Sequence, residues 1–284
     1  MITVPTLAEL RARRATWAAA GERAAFVPTM GNLHDGHLEL VRRARALAPR
    51  VAVSIFVNPL QFGAGEDLAS YPRTLARDAA LLAGVGADLL FAPTAGEMYP
   101  RPQATQTRVE VPGLSDILCG ASRPGHFVGV ATVVCKLFNM VQPEVALFGE
   151  KDFQQITVIR RMVEDLCMPV EVVGVPTVRE PDGLAMSSRN GYLTAEERGR
   201  APALHRALRA AAGEIEAGGA DLEAVARAAA DRIDAAGLRT DYVSVRRAAD
   251  LGAPGDADED LVVLAAAYLG RARLIDNLRA RRRP

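Results

Sequence analysis

The stretch Phe26-Val27-Pro28-Thr29-Met30-Gly31-Asn32-Leu33-His34-Asp35-Gly36-His37 decides the fold of this chain. It begins as a short apolar run, passes through proline and glycine, and ends in two histidines that flank Gly36. Apolar residues at helical spacing follow it, namely Leu38, Leu40, Val41, Ala44 and Leu47. The pattern predicts a strand, a tight loop and a helix, with His-x-Gly-His at the start of the helix.

The start of a helix is suited to binding phosphate, because its first N–H groups have no partner within the helix and carry partial positive charge. Gly36 would allow a ligand to approach the backbone closely. An ordinary strand–helix turn with two solvated histidines is the alternative, and this stretch by itself leaves both interpretations open.

Other apolar runs indicate further strands of the same sheet. Val51–Val57, Ala87–Ala92, Val145–Phe148 and Val170–Val178 are largely apolar, as is typical of strands buried on both faces. Helical patterns separate them, so we expect an α/β fold with a Rossmann-like, doubly wound parallel sheet. Ligands of such sheets bind beyond the carboxyl ends of the strands.

The sequence changes character near Thr177 and becomes rich in alanine. We therefore predict a larger Rossmann-like domain over residues 1–176 and a smaller α+β domain over residues 177–284. Local patterns add four expectations: a helix over residues 3–20, a mobile loop over Gly63–Tyr71, an extra strand over Thr107–Val111, and a frayed basic tail over Arg279–Pro284. Arg123 and His126 lie in a glycine-containing segment, ahead of a helix predicted over Ala131–Val141.

The composition excludes several classes of protein. Lys+Arg and Asp+Glu residues each number 34, so the zero net charge argues against broad binding of nucleic acid or membrane. The three cysteines are far apart and indicate reduced thiols in a cytoplasmic protein. We find no signal peptide, no apolar run of about 18 residues, no P-loop, no GxGxxG motif and no HExxH or GxSxG motif.

Polar residues from distant parts of the chain supply groups suited to a polyphosphate. Besides the histidines, Lys151-Asp152 with Gln155 starts a predicted helix, and Ser187-Ser188-Arg189 lies in a polar loop. Lysine offers a mobile charge, and arginine offers a planar fork that matches phosphate oxygens. Taken alone, Lys151 and Arg189 fit a solvated surface position better than a ligand site, and Ser187-Ser188 fits an ordinary loop.

Several motifs in order resemble those of the pantoate–β-alanine ligase (pantothenate synthetase) family. The motifs are Pro28-Thr29-Met30-Gly31 with His34-x-Gly36-His37, Phe56-Val57-Asn58-Pro59-x-Gln61-Phe62, Gly149-Glu150-Lys151-Asp152-x-Gln154-Gln155 and Met186-Ser187-Ser188-Arg189-Asn190. The resemblance implies ATP-dependent condensation of (R)-pantoate with β-alanine through a pantoyl adenylate, with release of AMP and pyrophosphate. It also implies Mg²⁺, a cytoplasmic homodimer, and a second domain that acts as a lid over an ATP- and pantoate-binding first domain.

The same resemblance implies roles for individual residues. His37, His34, Lys151 and Arg189 would be catalytic, and Gln61 and Gln155 would bind pantoate, with Gln61 also near β-alanine. The ATP site would comprise Met30, Gly31, Asn32, Leu33, His34, Asp35, Gly36, His37, Gly149, Glu150, Lys151, Asp152, Val178, Met186, Ser187, Ser188 and Arg189. Metal ligands stay unassigned.

Two other functions share parts of this pattern. A cytidylyl- or adenylyltransferase also has HxGH and a Ser/Arg loop, but it keeps the nucleotide in its product. A non-catalytic nucleotide-binding protein is disfavoured because His37, Lys151 and Arg189 are all present. An aminoacyl-tRNA synthetase is disfavoured because the chain has no basic excess.

Overall fold

The computed structural model describes residues 1–63, 66 and 68–283, so the predicted loop over residues 63–71 lies partly outside the described residues. The described chain divides into two compact units. The first comprises residues 1–150 and 158–176, and the second comprises residues 151–157 and 177–284.

The first unit is built on a six-stranded parallel sheet, which confirms the predicted fold class. Its strands in spatial order are β1 (Ile2–Val4), β4 (Leu89–Phe91), β3 (Arg50–Ile55), β2 (Ala24–Thr29), β5 (Val145–Gly149) and β6 (Glu171–Val175). The strands β2, β3, β4 and β5 are almost wholly buried, as expected of a sheet covered by helices on both faces.

Seven helices of the described chain lie between or beside these strands. They are α1 (Leu7–Ala19), α2 (Asp35–Leu47), α3 (Leu75–Gly84), α4 (Ala95–Met98), α5 (Cys119–Ser122), α6 (His126–Val141) and α7 (Phe153–Asp165). Short 3₁₀ turns cover Pro59–Gln61, Gln103–Thr105 and Glu150–Asp152. A capping box between Thr6 and Glu9 starts α1, because each side chain accepts from the other residue's backbone N–H.

The second unit packs helices against an antiparallel three-stranded sheet in the order β7-β8-β9. Its elements are α8 (Ala195–Arg200), α9 (Ala203–Ala217), α10 (Leu222–Ala235), β7 (Arg239–Arg247), β8 (Asp260–Leu269) and β9 (Ala272–Arg281), with a 3₁₀ turn over Ser188–Tyr192. Alanines and leucines of α9 and β8 form much of its buried core. Within the described ranges, every helix falls short of the length and apolarity that a bilayer-spanning segment requires.

Four local predictions differ from the structure, and in three of them a contact with another element decides the outcome. The helix predicted over residues 3–20 is confirmed over Leu7–Ala19, but residues 2–4 form β1 because they pair with β4. Thr107–Val111 is not a strand; the Val109 N–H donates to the Thr132 hydroxyl instead of a ladder partner. The helix predicted from Ala131 begins at His126. The tail is ordered in β9 as far as Arg281, because it pairs with β8.

Candidate active site

The histidine pair lies where the sequence predicted, at the start of α2. His34 directly precedes the helix, and the two imidazole rings are 4.0 Å apart between centroids. The backbone N–H of His34 donates to Nδ1 of His37 at 3.3 Å. Because Nδ1 accepts, the ring proton of neutral His37 lies on Nε2.

The loop before the histidines is held in place by Asp78, a residue that the sequence did not single out. This carboxylate is fully buried and accepts the backbone N–H groups of Asn32 at 2.8 Å and Leu33 at 3.0 Å. Gly31 and Asn32 both have positive φ, so the turn needs such an anchor. An aspartate within the α3 pattern carries no local sign of this role, because its partners lie far away in the sequence.

Gln61 and Met30 are brought together at the carboxyl ends of β3 and β2. The Gln61 side-chain nitrogen lies 2.9 Å from Met30 Sδ, and its oxygen accepts from Asn58 Nδ2 at 3.1 Å. Tyr99 donates its hydroxyl proton to Asn58 Oδ1 at 2.8 Å. Burial raises the pKa of Tyr99, so this donor stays protonated at neutral pH. The amide of Gln61 is thereby oriented before any ligand arrives.

The 3₁₀ turn Pro59–Gln61, called the Gln61 turn below, packs against the backbone of Gly129 in α6. The Gly129 carbonyl accepts from Asn58 Nδ2 at 3.0 Å. A Cβ placed on Gly129 would overlap the Leu60 carbonyl oxygen, which is backbone and has little room to move. A glycine here is therefore required for the position of Gln61.

We expect Gly129→Ala to displace the 59–61 turn and to destabilise the first unit by about 1–3 kcal/mol, the usual cost of overpacking. The Michaelis constant for a ligand of Gln61 should rise. Steady-state kinetics and thermal unfolding measure the two effects, with Gly84→Ala as control because a Cβ at Gly84 meets nothing within 4 Å. Equal behaviour of the two variants would contradict this role.

Arg123 and His126, whose role the sequence left open, lie beside the same turn. His126 Nδ1 is 2.8 Å and Arg123 Nη2 is 3.4 Å from the carbonyl oxygen of Gln61. His126 is the first residue of α6, and Arg123 caps the C-terminus of α5, so the short connection between the two helices brings both side chains to one carbonyl.

The second unit contains the lysine of the predicted nucleotide site. The backbone carbonyl of Lys151 accepts from Asn277 Nδ2 of β9 at 2.9 Å, and its ammonium lies 3.5 Å from Asp152 Oδ2. The Lys151 side chain is 18% exposed and lines a small cavity. The other residues of that cavity are Leu184, Ala185, Ser187, Asn190, Leu204, His205, Leu274, Ile275 and Asp276.

The loop over residues 178–190 is folded back on itself by backbone hydrogen bonds. The N–H of Met186 donates to the carbonyl of Val178 at 3.0 Å, which joins two predicted ATP-binding residues. Ser187 starts the following 3₁₀ turn, and its hydroxyl accepts from the N–H of Arg189 at 3.3 Å.

Asp276 anchors this loop and was also not predicted from the sequence. Arg179 donates two hydrogen bonds to its carboxylate, at 2.7 and 2.9 Å, and His205 Nδ1 lies 3.5 Å away. Burial would raise the pKa of Asp276, but the neighbouring His205 and Arg179 outweigh it and lower that pKa below its ordinary value.

We expect Asp276→Asn to destabilise the second unit by about 3 kcal/mol at neutral pH, because it leaves Arg179 without its ion-pair partner. A carboxylate with a lowered folded-state pKa stabilises above its unfolded pKa of about 4 and loses that contribution as pH falls through the folded value. Urea unfolding at several pH values should therefore show wild type and variant converging only below about pH 4. A difference that is constant down to low pH would contradict the ionised pair.

The predicted residues thus form two sets, one in each unit. The first unit contains Met30, His34, His37, Gln61 and Gly149-Glu150. The second unit contains Lys151-Asp152, Gln155, Val178 and Met186–Arg189. Among the described residues, no group of three or more His, Cys, Asp or Glu side chains is arranged to hold a metal ion.

A parallel sheet with histidine and amide side chains beyond its strand ends is typical of an α/β enzyme, and Lys151 adds a cation to the cavity of the second unit. The sequence profile of the family named pantoate-beta-alanine ligase matches residues 2–279. The chain belongs to the pantoate-beta-alanine ligase family.

Relatives of known name agree with this assignment. The chain is 66% identical to the pantothenate synthetase of Thioalkalivibrio sulfidiphilus over 98% of this chain and 97% of the relative. It is similar to a crystal structure of pantothenate synthetase from Thermus thermophilus, with a TM-score of 0.90 and 52% identity over 98% and 99% of the two chains. A Francisella tularensis ligase, in complex with beta-gamma ATP and beta-alanine, matches with a TM-score of 0.82 and 33% identity over 98% and 97%.

Proposed function

We propose that this enzyme condenses (R)-pantoate with β-alanine to form pantothenate, with ATP converted to AMP and pyrophosphate. The observation that carries the proposal is the match of nearly the whole chain to the ligase family, with each of the four family motifs present. The preorganised Gln61 amide beside Met30 adds support, because pantoate offers hydroxyl and carboxylate groups that pair with amide donors and acceptors.

In the first step a carboxylate oxygen of pantoate attacks the α-phosphorus of ATP. The new O–P bond gives pantoyl adenylate, and the bond to the β-phosphate oxygen breaks, so pyrophosphate leaves with the electron pair. Negative charge accumulates on the phosphoryl oxygens at this stage. We assign its stabilisation to the Nε2–H of His37, to His34, and to the cationic side chains of Lys151 and Arg189.

In the second step the amine nitrogen of β-alanine attacks the acyl carbon of the adenylate. The C–N bond forms, the C–O bond to the phosphate breaks, and AMP leaves with that electron pair while the nitrogen gives up its proton. Gln61 and Gln155 are assigned to pantoate, with Gln61 also facing the amine substrate. Water would hydrolyse the adenylate. A lid formed by residues 177–284, as predicted, would exclude water and protect this intermediate.

We propose that each unit contributes to ATP binding. The first unit would supply the segment from Met30 to His37 with Gly149 and Glu150, and the second would supply Lys151, Asp152, Val178 and Met186 to Arg189. Mg²⁺ enters as part of the substrate MgATP. Mg²⁺ is commonly held through substrate phosphates and water together with one or two carboxylates.

We also propose a cytoplasmic homodimer. Widely spaced cysteines, of which Cys119 is buried, support a reducing compartment. Light scattering of the purified protein tests the dimer, and a monomer mass at micromolar concentration would rule it out.

The activity is tested by mixing the purified protein with MgATP, pantoate and β-alanine and omitting each in turn. We expect pantothenate, AMP and pyrophosphate in equal amounts only from the complete mixture. A nucleotidyltransferase would instead retain the nucleotide in its product and release no AMP when β-alanine is added. Absence of pantoate-dependent pyrophosphate release would overturn the proposal.

A further inference from the structure

Arg123 and Glu66 form an ion pair beside the Pro59–Gln61 turn. The reaction steps proposed for the enzyme assign no role to either residue. The guanidinium faces the carboxylate with its Nε–Nη2 edge: Arg123 Nε lies 2.7 Å from Glu66 Oε1, and Nη2 lies 2.5 Å from Oε2. The Arg123 side chain is 17% exposed and that of Glu66 is 24% exposed. This is the two-pronged geometry by which arginine recognises a carboxylate.

The guanidinium is oriented from its other side by His126. Arg123 Nη1 lies 3.1 Å from His126 Nε2, and His126 Nδ1 lies 2.8 Å from the Gln61 carbonyl oxygen. Arginine can only donate and a carbonyl can only accept, so neutral His126 accepts at Nε2 and donates from Nδ1. Arg123 therefore donates to His126, which in turn donates to the Gln61 carbonyl. These two hydrogen bonds fix Arg123 relative to Gln61.

We propose that Arg123 binds the carboxylate of β-alanine, and that Glu66 occupies this position when the substrate is absent. The inference rests on the proposed function. β-Alanine keeps its carboxylate throughout the reaction while its amine reacts, so the enzyme needs a cation at one end of this substrate and the acyl adenylate at the other. Extended β-alanine spans only about 4–5 Å between these ends. A carboxylate on Arg123 therefore leaves the amine beside the Gln61 turn, where the pantoyl group is assigned.

The ionisation state of Glu66 is the one required of a side chain that competes with β-alanine for Arg123. Burial would raise the pKa of Glu66, but its hydrogen bond and ion pair with Arg123 outweigh that effect and lower it. The carboxylate is consequently ionised at neutral pH, as the carboxylate of β-alanine is. A purely structural ion pair between these residues is the competing explanation, and the two predict opposite results for the Glu66 variant.

The test compares Arg123→Gln, Arg123→Lys and Glu66→Gln in the full-length enzyme. Two readouts are taken: the KM for β-alanine in the complete reaction, and pantoate-dependent exchange of labelled pyrophosphate into ATP without β-alanine. We expect Arg123→Gln to raise the KM for β-alanine by about 10²-fold, with Arg123→Lys intermediate, because a buried charge partner is lost. Exchange should stay within about twofold of wild type, since adenylation does not involve this carboxylate.

Glu66→Gln should lower the KM for β-alanine about threefold or more, because the competing anion is gone. Propylamine, which has a methyl group in place of the carboxylate, should discriminate further: its rate should be similar in wild type and Arg123→Gln. Two of these experiments do not depend on the folding of Arg123→Gln. They are the KM measurement in Glu66→Gln and the comparison of β-alanine with propylamine in the wild-type enzyme.

An increase in the KM for β-alanine in Glu66→Gln, or an equal loss of exchange and aminolysis in Arg123→Gln, would show a structural ion pair and overturn the inference. Failure of the proposed function is seen separately. In that case the wild-type enzyme itself would show no pantoate-dependent exchange, whatever the behaviour of the variants.

Discussion

Replacing His37 by alanine should lower the turnover number by about 10²-fold or more, the usual effect of removing one preorganised donor or proton-transfer group from a transition state. The Nδ1 atom of His37 is engaged by the His34 N–H, so the side chain presents Nε2–H in a fixed direction. Alanine removes that donor, while α2 keeps the apolar face that Leu38, Val41 and Ala44 bury. Pantoate-dependent pyrophosphate exchange measures the loss directly.

The matched control for His37 is Arg43→Ala on the same helix. The Arg43 side chain is 65% exposed and pairs with Glu39 one helical turn away, so its loss should change turnover by less than about twofold. Circular dichroism should show the same helix content in both variants. Near-normal exchange in His37→Ala would remove this residue from the chemistry.

Lys151→Ala should also reduce turnover by about 10²-fold or more, because it removes a cation assigned to the phosphates. The backbone of Lys151 is fixed by Asn277, and its side chain is largely enclosed, so the ammonium is directed before ATP binds. The loss should appear in the exchange reaction as well as in the overall reaction, since both contain the adenylation step.

Arg161→Ala serves as the comparison for Lys151, since Arg161 is a partly exposed cation on α7 that lies 3.9 Å from the carboxylate of Glu164. We expect its kinetics to match wild type. A normal exchange rate in Lys151→Ala, with the fold intact, would show that this lysine does not stabilise the reacting phosphates and would remove one of the assigned cations.

Local patterns predicted the parts of this fold whose cause is local. The buried strand runs and the helix after the histidines follow from periodicity over a few residues. The strand β1 was missed because three residues have too little pattern, and only pairing with Leu89–Phe91 makes them a strand. The basic tail was mistaken for a frayed end because its composition is that of a solvated terminus, and only its pairing with the preceding strand β8 makes it a strand.

The same distinction applies to the candidate site. Motif residues such as His37 and Lys151 stand out in the sequence because their types and spacing match a known chemistry. Asp78, Asn277 and Asp276 do not, since each acts by binding backbone or a side chain that is distant in sequence. Their roles become visible only when the contacts are known, and they determine whether the motif residues are held in position.

The central claim, that pantoate is activated as an acyl adenylate, is tested most directly with pantoate labelled with ¹⁸O in its carboxylate. The adenylate mechanism predicts that one labelled oxygen is transferred to AMP, because the C–O bond to the phosphate breaks when β-alanine attacks. Mass spectrometry of the purified AMP measures the transfer. Unlabelled AMP, with the label in pyrophosphate or inorganic phosphate, would contradict the adenylate and with it the assigned roles of both units.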